Sequence, residues 1–394
     1  MKTLVLTPAT KSVSVRDLPI PKPGKGEVLI RVHAVALNPV DSLYVAHPIA
    51  EQEQRVIGTD FAGIITDIAD DLKSSSDARA KVGARVAGFH QGACSTNDRP
   101  GAFAEYITAP YDLLWSVPES LSFEEASTIS MCGLTAAQGV FPRLGLPCPF
   151  DTTEAAPRDQ NANDVANVLI YSASTSLGLY AAQLVQLAAR SSGRKIRLIG
   201  TASPSKHEFL RQEPYKYDVL VDYRDPQWVE KVKEATNGEG IHYAVDSISE
   251  GETVYKVNST LATNGKVAVF RGPLGGRYDP AELRIKPIYG AVWEGLGHEI
   301  GYNGFVIPAN PEARIFATKF FDFLSTAAKD GKLKLEPNPV RLMPGGLERI
   351  VDDGFQLLGN TLVTERKGNG RSEAYMRPLS AEKMVYKIAE DSKA

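Results

Sequence analysis

The sequence predicts an α/β chain in two parts, a small β-barrel or sandwich and a parallel sheet with helices. Three observations predict it. The first third is a series of short β-branched runs broken by Pro/Gly clusters, the rhythm of a small barrel or sandwich. From residue 168 onward strand-like runs alternate with helix-capable segments, which implies βαβ units and a parallel sheet. The 394 residues suffice for two domains with sizeable cores.

Taken in order, the β-rich part contains "KTLVLT", "SVSVRDL", "EVLIRVHAVAL", "FAGIITDIA", "ARVAGF" and "FAEYITAP", with "PIPKPGKGE" as punctuation. Residues 122–141 read as helix, with Ser122 as N-cap and Glu125 completing a capping box. Residues 147–166 are polar and Pro-rich, a surface loop. Strands follow at 168–172, 196–201, 219–222, 241–246 and 266–270. An amphipathic helix spans 312–333 and stops near Gly331, and 364–373 reads as a mobile loop.

Composition is that of an ordinary globular protein: 43% hydrophobic, 23% charged, net charge −3. Nothing in that balance favours nucleic acid or an anionic membrane as partner. No apolar run approaches the ~18 residues of a membrane span. The N-terminal stretch has no sustained apolar region of the secretory kind, and the C-terminal "EDSKA" carries no prenylation or retention signal. Three cysteines, Cys94, Cys132 and Cys148, do not make a disulfide framework. A cytoplasmic location is the expectation.

Chemistry begins at "VLIYSASTSLGLYAAQLVQLAA", residues 168–189. It has the strand–turn–helix form of a dinucleotide site, but only Gly178 survives of the usual three glycines. Ser174, Thr175 and Ser176 replace part of the lost capacity with hydroxyl donors and backbone N–H groups at a helix N-terminus. By itself the turn reads equally as an ordinary strand–helix cap. The end of the second strand, "TASPSK", decides more. NAD sites place a carboxylate there for the ribose, whereas none appears here before Glu208. Ser203 and Lys206 suit a dianionic 2′-phosphate; Ser203 or Ser205 also suits an N-cap, and both readings hold together. NADP(H) is favoured over NAD.

These stretches, with "GEVLIRVHAVALNPVDS", "IGTDFAGIITDI", "VGARVAGF", "GAFAEYI", "VPESLSFEEAST", "LTAAQG" and "VDYRDP" in that order, resemble the zinc-free medium-chain dehydrogenase/reductases over nearly the whole chain. Within them the likeness is to the quinone-oxidoreductase and fungal trans-acting enoyl-reductase branch. The resemblance implies a GroES-like β-barrel domain, residues 1–135 and 307–394, with a doubly wound Rossmann domain, 136–306, inserted and the active site in the cleft. It implies NADPH-dependent reduction of an activated C=C bond. It puts Val40, Asp41, Ser42 and Leu43 at the nicotinamide end, and Ser174, Thr175, Ser176, Leu177 and Gly178 at the pyrophosphate. Ser203, Ser205, Lys206 and Tyr223 would hold the 2′-phosphate. Phe270, Arg271, Met384 and Val385 would flank the nicotinamide, and Thr135 would border the substrate. The substrate is a small molecule, free or presented by a polyketide synthase carrier domain, and the chain is a monomer or homodimer.

Two comparisons test this against competing chemistry. The zinc branch has Cys where this chain has Asn38-Pro39, and His-Glu where it has Thr59-Asp60. A catalytic zinc needs three such ligands, so no metal site is expected. Without a Lewis acid to hold an alkoxide, reduction of a conjugated alkene is an easier task than alcohol oxidation. The branch also has a lysine where this chain has Leu43. A leucine cannot stabilise developing enolate charge, which leaves hydroxyls such as Tyr44 or Thr135 as the catalytic candidates. It also leaves open a family member that binds its ligand or a synthase without hydride transfer.

Overall fold

The computed structural model describes residues 1–49, 52–151, 165–302, 305–366 and 368–389. They form two compact units, Met1–Met131 with Trp293 onward, and Cys132–Val292. The sequence places the corresponding seams at 135/136 and 306/307.

In the first unit Val340–Leu342, Lys383–Lys387, Glu27–Ala36, Asp60–Ile68, Arg85–Phe89 and Trp115–Ser116 lie side by side, with Tyr106–Pro110 also pairing Glu27–Ala36. The C-terminal strand is antiparallel to Glu27–Ala36, Val385 facing Ala36. A second sheet joins Ser12–Asp17, Lys2–Thr7 and Arg55–Val56. Apolar residues from both ends of the chain share this unit's core, among them Leu4, Val28, Ile30, Phe61, Ile65, Phe103, Met384 and Tyr386.

The second unit carries six parallel strands. Ala166–Tyr171, Ile196–Thr201, Val219–Val221, Ile241–Asp246, Leu261–Val269 and Ile288–Tyr289, numbered in chain order, run 3-2-1-4-5-6 across the sheet. That is the doubly wound order, whose ligand crevice lies beyond the carboxyl ends of the strands where the order reverses. Leu169, Ile199, Val221, Ile241, Val254, Val267 and Val269 build a core on one face. The near-continuous apolar character of the strands follows from burial on both faces.

The segment 122–141 is interrupted rather than continuous: Phe123–Ala126, then Ser130–Gln138, then a wide turn at Gly139–Arg143 containing Pro142. Proline removes a donor, and the wider turn accommodates it. Ser122 caps the first piece through Glu125. The 312–333 reading divides into Pro311–Ser325 and Ala327–Asp330, closed by left-handed Gly331. Most of the 147–166 loop, residues 152–164, lies outside the described residues. Within the loop read at 364–373, Arg371 is anchored to buried Asp353 at 3.3 Å. Among the described residues no helix is long and apolar enough to cross a membrane.

Candidate functional site

In the second unit the first strand ends at Tyr171 and the chain turns through Ser172, which is left-handed at φ 59°. Three bonds hold that turn. Ser172 N–H donates to Thr201 Oγ1 at 2.9 Å, Ala173 N–H donates to the Thr201 carbonyl at 2.8 Å, and Thr175 N–H returns to the Ser172 carbonyl at 3.1 Å. Thr175 is the N-cap of the 17-residue helix Ser176–Ser192. Its hydroxyl accepts from Gly178 N–H at 3.0 Å and donates to the Ser172 carbonyl at 2.9 Å. Gly178 is required by space: a Cβ there would stand 2.6 Å from the Ser172 carbonyl oxygen. The turn therefore brings backbone to a helix N-terminus with the cradle form of an anion site. The Thr175 hydroxyl is committed to the cap.

The second and third strands end side by side, Thr201 opposite Val221, with Ala202 N–H donating to the Val221 carbonyl at 2.9 Å. Ser203 caps the short helix Pro204–Lys206 without a side-chain bond. Ser203, Ser205 and Lys206 thus follow the second strand, and Tyr223 the third, at the same edge of the sheet. Tyr223 is 40% exposed. Arg224, which the sequence reading passed over, lies over the Tyr223 ring at 5.3 Å and pairs with Asp222 at 3.3 Å.

Phe270 and Arg271 follow the fifth strand at the same carboxyl edge. Phe270 N–H donates to Ser249 Oγ at 2.9 Å, and its ring lies where a Cβ on Gly139 would clash, 2.8 Å away. Arg271 pairs with buried Glu250 at 3.1 Å. Beside them, burial pushes the Asp246 carboxyl up to about 6, although the N–H groups of Ser249 and Ile248 and the Thr253 hydroxyl pull it down. Thr135 lies half-buried on Ser130–Gln138.

The first unit holds a second polar constellation. The helix Pro39–Ala46 starts after Asn38, and the Asp41 carboxylate reaches back to accept the Asn38 N–H at 2.7 Å. Thr59 Oγ1 donates to the same Asp41 oxygen at 3.1 Å. Asn38 Nδ2 donates to Thr59 Oγ1 and to Asp60 Oδ2, each at 2.8 Å. Lys383 Nζ donates to Asp60 Oδ2 at 2.6 Å and to the Thr128 carbonyl at 3.3 Å, and Met131 N–H donates to Asp60 Oδ1 at 2.9 Å. All of these polar side chains are buried. Burial pushes Asp41 up to about 7, Asp60 adding to the rise while Lys383 and the two hydrogen bonds oppose it. An ammonium thus pairs with Asp60 inside this buried site. Among the described residues no three His, Cys, Asp or Glu side chains are grouped to hold an ion.

On that helix Val40, Leu43 and Tyr44 are half-buried, while Asp41 and Ser42 are buried. Ser42 Oγ donates to the Gly359 carbonyl at 2.5 Å. Met384 and Val385 are 1% and 0% exposed, with their backbone carbonyls accepting from Leu37 and Met343. The Met384 side chain belongs to the core of the first unit, and Val385, its neighbour on the strand, is buried on the opposite face. The structure therefore gathers Ser174–Gly178, Ser203–Lys206, Tyr223 and Phe270–Arg271 at one sheet edge of the second unit. Val40–Tyr44, Met384 and Val385 belong to the first unit. The sequence reading missed Thr201, Lys383 and Glu250. Lys383 alone left a signal, a charge opening a strand whose next three residues are Met, Val and Tyr.

A barrel carrying the N-terminal and C-terminal segments, interrupted by a 3-2-1-4-5-6 parallel sheet, defines the medium-chain dehydrogenase/reductase architecture. The alcohol dehydrogenase GroES-like domain family matches residues 24–119. An alcohol dehydrogenase superfamily protein from Novosphingobium aromaticivorans superposes with a TM-score of 0.70 at 22% identity, covering 99% of this chain and 100% of that one. A trans-enoyl reductase of Penicillium citrinum is 31% identical over 95% of this chain and 93% of its own length. One from Alternaria alternata is 29% identical over 95% and 96%. The chain belongs to the trans-enoyl reductase branch of the medium-chain dehydrogenase/reductases.

Proposed function

We propose that the chain reduces an activated C=C bond, in an enoyl, enone or quinone acceptor, with NADPH, as a trans-acting enoyl reductase of polyketide or other secondary-metabolite biosynthesis. Its membership of the trans-enoyl reductases over nearly its whole length carries the reading and favours an oxidoreductase over a non-redox ligand-binding role. The residues present fit the cofactor. Gly178 lets the turn pack closely against the helix, as the third glycine of a dinucleotide turn does, and the second strand is followed by Ser203 and Lys206 with no carboxylate before Glu208.

When bound, NADPH supplies the hydride for the alkene carbon β to the carbonyl. The helix N-terminus at Ser174, Ser176 and Leu177 holds the pyrophosphate, with Thr175 and Gly178 shaping the turn. Ser203, Ser205, Lys206 and Tyr223 hold the 2′-phosphate. Val40 and Leu43 line the nicotinamide end on a helix whose start Asp41 and Ser42 fix. Phe270 and Arg271 act from the sheet edge, and Met384 and Val385 act by packing. The hydroxyl of Tyr44 or Thr135 returns a proton to the α-carbon. The substrate is a small molecule, free or carrier-bound, and the chain works in the cytoplasm as a monomer or homodimer.

The test is stoichiometric NADPH oxidation against a panel of enoyl thioesters, enones and quinones, with the saturated product identified by mass. NADPH is expected to bind at least about ten-fold tighter than NADH, ~1.4 kcal/mol. Replacing Lys206 by Ala together with Tyr223 by Phe removes most of that gap. Equal affinities in the unmodified protein refute the NADPH assignment. Tight cofactor binding without turnover of any acceptor refutes the reduction.

A further inference from the structure

In the first unit, the strand Arg85–Phe89 ends beside the buried constellation just described. Phe89 is the register partner of Asp60, and His90 N–H donates to the Thr59 carbonyl at 2.8 Å. The next residue, Gln91, is 3% exposed. Its amide orientation is fixed by a chain of bonds. Arg99 N–H donates to Asn97 Oδ1 at 3.1 Å, which turns Asn97 Nδ2 toward Gln91 Oε1, 2.9 Å away. His298 Nε2 also lies 3.4 Å from Gln91 Oε1. Turning the Gln91 amide over would set two NH₂ groups against each other. Gln91 Nε2 is therefore left as a buried donor without an acceptor among the described residues.

A buried donor with no acceptor is costly, and such orphans call for a partner that the fold itself does not contain. The neighbouring helix Pro39–Ala46 carries no cation to polarise a carbonyl. We propose that Gln91 Nε2 donates a hydrogen bond to the carbonyl oxygen of the α,β-unsaturated substrate. This rests on the reduction proposed above and names the group that takes the enolate charge. A fixed, buried amide donor is already oriented when charge develops on the oxygen. A donor whose own oxygen is held by Asn97 cannot swing away to solvate itself elsewhere.

Two variants test it in the full chain. Gln91→Glu keeps an oxygen for Asn97 and removes the donor, and Gln91→Met removes both. With an enoyl thioester, both should lower kcat by about a hundred-fold or more, the loss typical of one oxyanion donor. Affinity for NADPH, read by fluorescence, should stay the same. The second readout does not depend on turnover: infrared difference spectra of a bound saturated acyl thioester labelled with carbon-13 at the carbonyl. The carbonyl band should be shifted to lower frequency in the unmodified chain and return toward its solution position in both variants. A band unchanged by both substitutions, or no binding of the thioester, overturns the proposal. If the unmodified chain oxidises no NADPH, the reduction fails, and the infrared result still decides whether Gln91 contacts the carbonyl.

Discussion

Leu43 and Asp41 occupy one helix and put opposite demands on it. Leu43 offers no charge to a reacting carbonyl, so electrostatic help must come from uncharged donors. Removing a charge stabiliser typically costs ~3 kcal/mol, about a hundred-fold in rate. Slow turnover of simple enones and faster turnover of quinones are therefore expected. Leu43→Lys should raise kcat for enones while NADPH affinity barely changes, and steady-state kinetics with both acceptors checks this. Asp41 is protonated more readily in the fold than in the unfolded chain, because burial raises its carboxyl from 3.8 to about 7. Between those values the folded state binds more protons, so this group's contribution to stability falls as pH rises. The limiting slope is about 1.4 kcal/mol per pH unit. Asp41→Asn keeps an acceptor for Asn38 and Thr59 and should flatten that fall; urea unfolding at pH 4.5, 5.5 and 6.5 measures the difference. A slope shared by both proteins would assign the pH dependence to other groups.

The strand–turn–helix from Ala166 to Ser192 works because each of its parts limits the next. The Thr201 hydroxyl fixes the left-handed Ser172, Ser172 receives Thr175, and Thr175 caps the helix through Gly178. Gly178→Ala places a methyl 2.6 Å from a backbone oxygen, and such overpacking costs about 1–3 kcal/mol. NADPH affinity should drop at least about ten-fold with the far-ultraviolet dichroism retained. Calorimetric titration of the variant against the parent reads it directly. The sequence made this element legible because strand, cap and close approach are all local. It did not disclose that the Thr175 hydroxyl is occupied by the cap, since that depends on the turn adopted between Ser172 and Gly178.

Across the whole molecule, the strand Lys383–Lys387 brings the end of the chain into the sheet of the first unit. It also delivers an ammonium to Asp60, 323 positions away in sequence. Both partners are almost wholly buried, 2% and 0% exposed. Lys383→Met therefore leaves an uncompensated carboxylate, which typically costs about 3–5 kcal/mol. Urea unfolding followed by Trp115 and Trp293, with Trp228 replaced by Phe in both proteins, should show that loss in the first unit. Adding Asp60→Asn should recover much of it, since the pair and not either charge is what the fold needs. No recovery would mean that Lys383 acts through its bond to the Thr128 carbonyl instead.

By itself the sequence determined the two-part α/β class, the parallel sheet, the turn at 172–178 and the absence of a carboxylate just after the second strand. Periodicity, capping and turn chemistry act over a few residues, so they can be read from a few residues. The same locality made the missing zinc-branch ligands visible, Cys at Asn38-Pro39 and His-Glu at Thr59-Asp60. Only the tertiary structure decided what replaced them. Lys383, Asp60 and Asn38 meet because antiparallel register aligns the chain's last strand with Glu27–Ala36, and register depends on every side chain in the sheet. The same pairing buried Met384 and Val385, and a separate chain of amides through Asn97 oriented Gln91. Apart from the lysine that opens that strand, these contacts leave no local pattern, because each joins residues that only the folded chain brings together.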